Sequence, residues 1–186
     1  CLSRRKVMEV TAKLRAKGFK AYSYHAGLSQ KERRENQERF IMDEGVIMVA
    51  TIAFGMGIDK PDVRFVVHMD MPRSLESYYQ ETGRAGRDGD NSECLLLFGR
   101  KEASIFKHMI RKSDASASRK NLENLQVETI LGLCESLTCR RQSLLQNFDE
   151  DYRAPCGFCD VCMEEEIPEN AEDITEKAII ALTVVY

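Results

Sequence analysis

The sequence predicts an α/β domain with a mainly parallel sheet, followed by a smaller helical region that carries a cluster of cysteines. Three observations lead there. Short continuous apolar runs at Val46–Ala50 and residues 64–69 and 93–98 alternate with amphipathic helical patterns, as expected of strands covered on both faces. The strand signal ends after Phe98, and helical spacing continues beyond it. Four of the seven cysteines, Cys139, Cys156, Cys159 and Cys162, gather toward the C-terminal end.

The elements follow in order. Val7, Val10 and Leu14 recur at helical spacing over residues 4–17, and Gly18 stands where a glycine ends a helix. A short strand is expected at Lys20–Tyr24. Ser29 and Glu32 make a capping-box pattern, each satisfying a free N–H at the start of a charged helix that runs to about Met42. After the strand at residues 93–98, helical patterns cover residues 104–112 and roughly 120–148. The polar stretch 113–118 between them is the candidate domain boundary. A second breaker-rich stretch at residues 164–173, including Pro168, separates the cysteines from a final apolar run at 178–186.

Composition excludes several classes. The 186 residues carry 27 Lys+Arg and 30 Asp+Glu, a formal net charge of -3, and 43% are apolar, enough for a packed core. A mean hydropathy of -0.38 and the lack of an uninterrupted apolar run near ~20 residues argue against a membrane-spanning protein. No secretory signal is expected from an opening in which Cys1-Leu2 runs straight into Ser3-Arg4-Arg5-Lys6. Seven cysteines in that setting indicate metal or redox chemistry before disulfides. A chain that opens on Cys1 and stops inside an apolar run is expected to be a piece of a longer protein. Its charge is divided: residues 149–186 hold eleven acids against Arg153 and Lys177, a local -9, which leaves residues 1–148 at +6. A basic body of this size attracts polyanions such as nucleic acid, although solvated helix faces are the more ordinary source of surface Lys and Arg.

Seven of the eleven glycines fall between Gly45 and Gly99. Thr51-Ile52-Ala53-Phe54-Gly55-Met56-Gly57 directly follows a strand, at the carboxyl edge where parallel sheets bind ligands. Glycine there allows close approach to a phosphate; a plain tight turn is the competing reading. In Gln80-Glu81-Thr82-Gly83-Arg84-Ala85-Gly86-Arg87-Asp88-Gly89, helix geometry continued from Tyr78 puts Gln80, Arg84 and Arg87 on one face. Two guanidinium forks beside a long amide suit phosphate oxygens, and a solvated, salt-bridged helix end is the alternative. Gly83 and Gly86 each cost about 1 kcal/mol against alanine in a helix interior, so their presence points to close backbone approach.

The spacing Cys139-x₁₆-Cys156-x₂-Cys159-x₂-Cys162 offers four soft ligands for a closed tetrahedral Zn²⁺ site. The bacterial iron–sulfur run continues to a Cys-Pro, but here Met163 and three glutamates follow Cys162. Cys134, five residues before Cys139 on the same expected helix, competes as the fourth ligand. Arg140, Arg141 and Arg153 either touch phosphates or form a solvated, acid-paired face. His68 and His108 have no carboxylate partner at a sensible sequence spacing and read as structural.

Residues 50–68, from Ala50-Thr51 through Asp59 and Lys60-Pro61-Asp62-Val63-Arg64 to His68, and residues 77–89, resemble motifs V and VI of the RecQ family of superfamily 2 DNA helicases. Cys1-Leu2-Ser3-Arg4 resembles the end of motif IV, and Tyr24-His25-Ala26-Gly27-Leu28 the element after it. Cys139-Arg140-Arg141 and Pro155 through Cys162 resemble that family's zinc-binding region. The match spans nearly the whole chain in the right order.

The resemblance implies a RecA-like parallel-sheet lobe of the P-loop NTPase type, without the P-loop, over residues 1–112. A helical zinc-binding subdomain would occupy 113–167, and the start of a winged-helix domain 168–186. It implies an ATP-driven motor moving 3′ to 5′ on single-stranded DNA, acting at duplex junctions in recombination and repair, with no membrane association. The compartment would be the cytoplasm at the bacterial nucleoid, or the nucleus in a eukaryote. ATP and Mg²⁺ would lie between this lobe and a first RecA-like lobe of the same chain. Arg87 would be the arginine finger and Arg84 its neighbour; Gln80, Gly57 and Asp59 would line the same cleft. Thr51, and with them Ser3 and Arg4, would contact the DNA backbone. It favours Cys139 over Cys134 as the zinc ligand. The Gly-x-x-x-x-Gly-Lys-Ser/Thr loop and the acidic Mg²⁺ motif of a motor ATPase are not in this sequence, so these residues supply half of a composite site. A non-catalytic, zinc-containing DNA-binding or interaction module is the reading from another class.

Overall fold

The computed structural model describes residues 1–54 and 58–163, and it divides the chain into two compact units, the first Cys1–Ser136 and the second from Leu137 on. The first unit is α/β. Helix α1 (Arg4–Ala16) opens on Ser3, whose hydroxyl accepts the Lys6 N–H, and ends before Gly18 at φ +87°. It buries Val7 and Thr11, and leads into β1 (Lys20–Tyr24). The capping box of Ser29 and Glu32 forms as expected and starts α2 (Gln30–Met42).

Strand β2 (Val46–Ala50) pairs parallel with β1, from Lys20↔Val46 to Tyr24↔Ala50. Beyond a 3₁₀ turn at Ile52–Phe54, β3 (Phe65–His68) pairs parallel with β4 (Glu93–Leu96) after the intervening helix α3 (Leu75–Thr82). The carboxyl ends of both strand pairs meet the start of α1. Cys1 N donates to Ala50 O at 2.9 Å, Leu2 N donates to Asp70 Oδ2 at 2.9 Å, and Lys6 Nζ donates to Met69 O at 2.8 Å and Asp70 Oδ1 at 2.5 Å.

The expectation of strands covered on both faces fails for β3 and β4. Phe65, Val67 and Leu95 share one face in the paired register and are 48%, 40% and 52% exposed. An unbroken apolar run is compatible with burial, but only packing partners produce it.

Helices α4 (Arg100–Lys112) and α5 (Ala117–Glu135) pack on each other, with the polar stretch from Ser113 to Ser116 between them. Their core residues are Ala103, Phe106, Val127, Ile130 and Leu133, and Ile130 is completely buried. The helix expected to run to residue 148 instead stops at Glu135. Ser136 is extended, and the second unit begins with Leu137, followed by α6 (Arg140–Gln146) and the short α7 (Asp160–Met163). Among the described residues no helix is long and apolar enough to cross a membrane. The expected winged-helix start at 168–186 lies outside the described residues.

Candidate functional site

The loop after α3 does not continue the helix. Ser74 caps α3 by accepting the Ser77 N–H, and the helix closes at Gly83, whose N–H donates to Tyr79 O at 2.9 Å. Gln80, Arg84 and Arg87 therefore do not form one helical face; the two arginines lie in the turn beyond. The glycines explain the break. A Cβ on Gly83 would stand 3.0 Å from Tyr79 O. Gly86 has φ +65°, and a Cβ there would stand 2.7 Å from Ser92 Oγ, so the close approach expected of it is real. The turn is sewn to the segment entering β3, with Gly86 N donating to Val63 O at 3.0 Å and Asp88 N to Pro61 O at 3.3 Å.

This arrangement brings Arg87 to Asp59. Arg87 Nη1 donates to Asp59 Oδ1 at 3.2 Å, and its Nε donates to Gly83 O at 3.1 Å. Arg84 is half-buried and makes no hydrogen bond or ion pair among the described residues. Gln80 is exposed on α3, and Gly57 lies outside the described residues.

The Cys1–Ala50 hydrogen bond ties the residue before Thr51 to the segment that leads into Ser3 and Arg4. Thr51 N donates to Tyr24 O, and its hydroxyl accepts the Ala53 N–H at 3.4 Å. Arg4 lies over Gly27, where a Cβ would meet its Nη1 at 3.1 Å and His25 Nδ1 at 3.2 Å. His25 Nδ1 accepts the Gly27 N–H at 3.1 Å. His68 has a partner that sequence spacing does not reveal: its Nε2 lies 2.6 Å from Glu81 Oε2, a strand-end to helix-end contact.

In the second unit the four expected cysteines converge. Cys139, Cys156, Cys159 and Cys162 offer sulfur atoms that all lie within 4.8 Å of one another, and Cys134 is not among them. Tetrahedral thiolates at a Zn–S distance near 2.3 Å need sulfur separations of about 3.8 Å, so the donor set fits zinc with small adjustments. Cys139 opens α6 as its N-cap residue, whereas Cys134 lies in α5. Gly157 at φ +73° supplies the turn between Cys156 and Cys159. Burial works to raise the Cys139 thiol, but hydrogen bonds from the Gln142 and Cys156 backbone and from neighbouring thiols bring it down to about 6. Burial and the Cys159 thiol push Cys162 up to about 11.

Two of the arginines beside the cluster, Arg140 and Arg141, are occupied within it. Arg140 grips Asp160 with a two-armed contact, Nε to Oδ1 at 3.0 Å and Nη2 to Oδ2 at 2.9 Å, and this holds the Asp160 carboxyl below the usual carboxylate range. Arg141 lies over the Tyr152 and Phe158 rings at 5.9 and 5.8 Å.

Comparison with known proteins agrees with both halves. Residues 1–89 match the family model of the helicase conserved C-terminal domain, and residues 100–163 that of RecQ zinc-binding. A lobe of helicase type joined to a four-cysteine zinc module defines the class. The chain belongs to the RecQ family. It is 46% identical over 164 residues to the ATP-dependent DNA helicase RecQ of Pasteurella multocida, covering 88% of this chain and 26% of that protein. It is 43% identical over 186 residues to the ATP-dependent DNA helicase hus2/rqh1 of Schizosaccharomyces pombe, covering 98% of this chain and 14% of that one. With the RecQ of Bacillus subtilis the identity is 37% over 183 residues, covering 98% and 30%. The chain thus spans between 14% and 30% of the length of these relatives. Among solved structures, a DEAD box protein from Methanococcus jannaschii is similar with a TM-score of 0.49 and 30% identity, covering 60% of this chain and 31% of that one.

Proposed function

We propose that this chain is the second motor lobe and zinc subdomain of an ATP-dependent DNA helicase that moves 3′ to 5′ and unwinds DNA in recombination and repair. The lobe takes in residues 1–112, the zinc subdomain 113–167, and a winged helix begins at 168–186. Hydrolysis of ATP with Mg²⁺, bound between this lobe and a first RecA-like lobe, supplies the energy. Arg87 reaches the γ-phosphate as the arginine finger, with Arg84 beside it and Gln80, Gly57 and Asp59 lining the cleft. Thr51, Ser3 and Arg4 hold the DNA backbone, single-stranded or at a duplex junction. The protein works in the cytoplasm at the nucleoid, or in the nucleus of a eukaryote.

The observation that carries this reading is the loop after α3. It presents one arginine with no ion pair among the described residues and a second paired only with a carboxylate that is 88% exposed. Both guanidinium groups are free to take up phosphate oxygens at little cost. The four-cysteine cluster supports the zinc assignment, and zinc there serves as a structural cross-link.

The test is Arg87→Ala in the full-length protein. DNA-stimulated ATP turnover should fall by roughly 10³-fold or more while DNA binding persists. Unchanged turnover would remove the finger assignment, and a wild-type protein that binds DNA without hydrolysing ATP would favour a non-catalytic module.

A further inference from the structure

We infer that Arg64 and Asp88 are a positioning pair for Arg87, fixing the backbone on which the finger stands; this rests on the proposed role of Arg87. The turn from Gly83 to Asn91 has no regular structure of its own between α3 and β4, so something else must hold it. Arg64, one residue before β3, does so from below. Its Nε donates to Asp62 O at 3.0 Å, its Nη1 donates to Asn91 O at 3.1 Å, and its Nη2 donates to Asp88 Oδ2. Asp90 Oδ2 stands 3.8 Å from the same Nη1. One planar fork therefore joins the segment entering β3 to two points of the turn. Asp88 completes the link, since its other oxygen accepts the Asp90 N–H at 3.1 Å.

The consequence for Arg87 is geometric. Its neighbours on either side are tied down, Gly86 through its N–H to Val63 O and Asp88 through both its backbone and its carboxylate. The Arg87 side chain makes no hydrogen bond or ion pair with Arg64 or Asp88 among the described residues; its own contacts are Asp59 and Gly83 O. Arg64 thus sets where the Arg87 Cα sits and leaves its side chain free to exchange partners. With the Arg64 side chain 40% exposed and that of Asp88 27% exposed, the pair contributes little to stability through charge alone. A displacement near ~1 Å at a reacting group can still cost about a hundredfold in rate. The fork also predicts which replacements fail: lysine keeps the charge but cannot reach Asp62 O, Asn91 O and Asp88 together.

The experiment uses the full-length protein and a cycle of Arg64→Ala, Arg87→Ala and the double variant, with steady-state ATP turnover, DNA affinity and melting temperature measured on each. Arg64→Ala should lower kcat by about 10- to 100-fold, with DNA affinity and melting temperature little changed, and Arg64→Lys should not restore it. In the Arg87→Ala background Arg64→Ala should cost nothing more, because a residue acting only through Arg87 has nothing left to position. Asp88→Asn, close to isosteric, should show the same kcat loss if Arg64→Ala proves unstable. Additive losses, a loss confined to DNA affinity, or full activity of Arg64→Ala and Asp88→Asn would overturn the proposal. If Arg87→Ala itself leaves turnover intact, the finger assignment fails instead, and the two outcomes are distinct.

Discussion

His68, at the end of β3, and Glu81, in the last turn of α3, stand 2.6 Å apart between Nε2 and Oε2. The His68 side chain is only 8% exposed, and its ring lies 5.4 Å from that of Tyr78. The contact ties the strand end to the helix whose close at Gly83 begins the arginine turn.

Breaking this contact should destabilise the first unit. Glu81→Ala leaves a buried ring nitrogen without its partner, at a cost of about 1–3 kcal/mol. Glu81→Gln, which retains an oxygen acceptor, should cost less. Thermal unfolding of the two variants side by side checks the order, and no loss in Glu81→Ala would show that the contact contributes nothing.

Zinc uptake should release protons. At neutral pH a thiol at about 6 is mostly thiolate, whereas one pushed up to about 11 is protonated and must lose its proton to bind the metal. Apparent zinc affinity should therefore rise with pH. Calorimetric titration of metal-stripped protein in two buffers of different ionisation enthalpy measures the proton count. Elemental analysis should find about one zinc per chain, absent in Cys159→Ser.

Acid should weaken the Arg64–Asp88 link only at low pH. The hydrogen bond from Arg64 holds the Asp88 carboxyl below its ordinary value. A carboxyl lowered by folding contributes its stability above the unfolded value, near ~3.9, and loses it as pH falls through the folded value. The small difference in melting temperature between wild type and Asp88→Asn should therefore be constant from pH 7 to about 5 and shrink as pH falls below about 4. A gap between their melting temperatures that stays constant down to pH 3 would contradict this.

The α4–α5 core should respond by depth. Ile130 is fully buried, so Ile130→Ala should cost about 2–5 kcal/mol. Leu122 on the same helix is 58% exposed, and Leu122→Ala should stay within about 0.5 kcal/mol. Denaturant unfolding of both separates the two cases.

What could be read from sequence was local or chemically specific. The Ser29–Glu32 box and the strand at Lys20–Tyr24 depend on neighbouring residues and formed as expected. The cysteine cluster was legible because metal ligation constrains both residue type and spacing. Four features were not. The helix break at Gly83 leads into a turn that Gly86 ties to Val63, a contact far along the sequence. The partner of His68 lies across a strand–helix junction, and the open face of Phe65 and Leu95 depends on what does or does not pack there. Cys134 and Cys139 looked like rivals on one helix until Ser136 separated them.

The contact between Arg87 and Asp59 makes the turn its own counterion system. A guanidinium held by an exposed carboxylate on the same chain is already neutralised, and the carboxylate cannot diffuse away. A monovalent anion from solution competes poorly against such a tethered rival. If the turn binds phosphate as proposed, a multiply charged anion that also engages Arg84 would outcompete it. The pair would then favour ligands of higher charge over single ions, and, both partners being exposed, it weakens as salt rises.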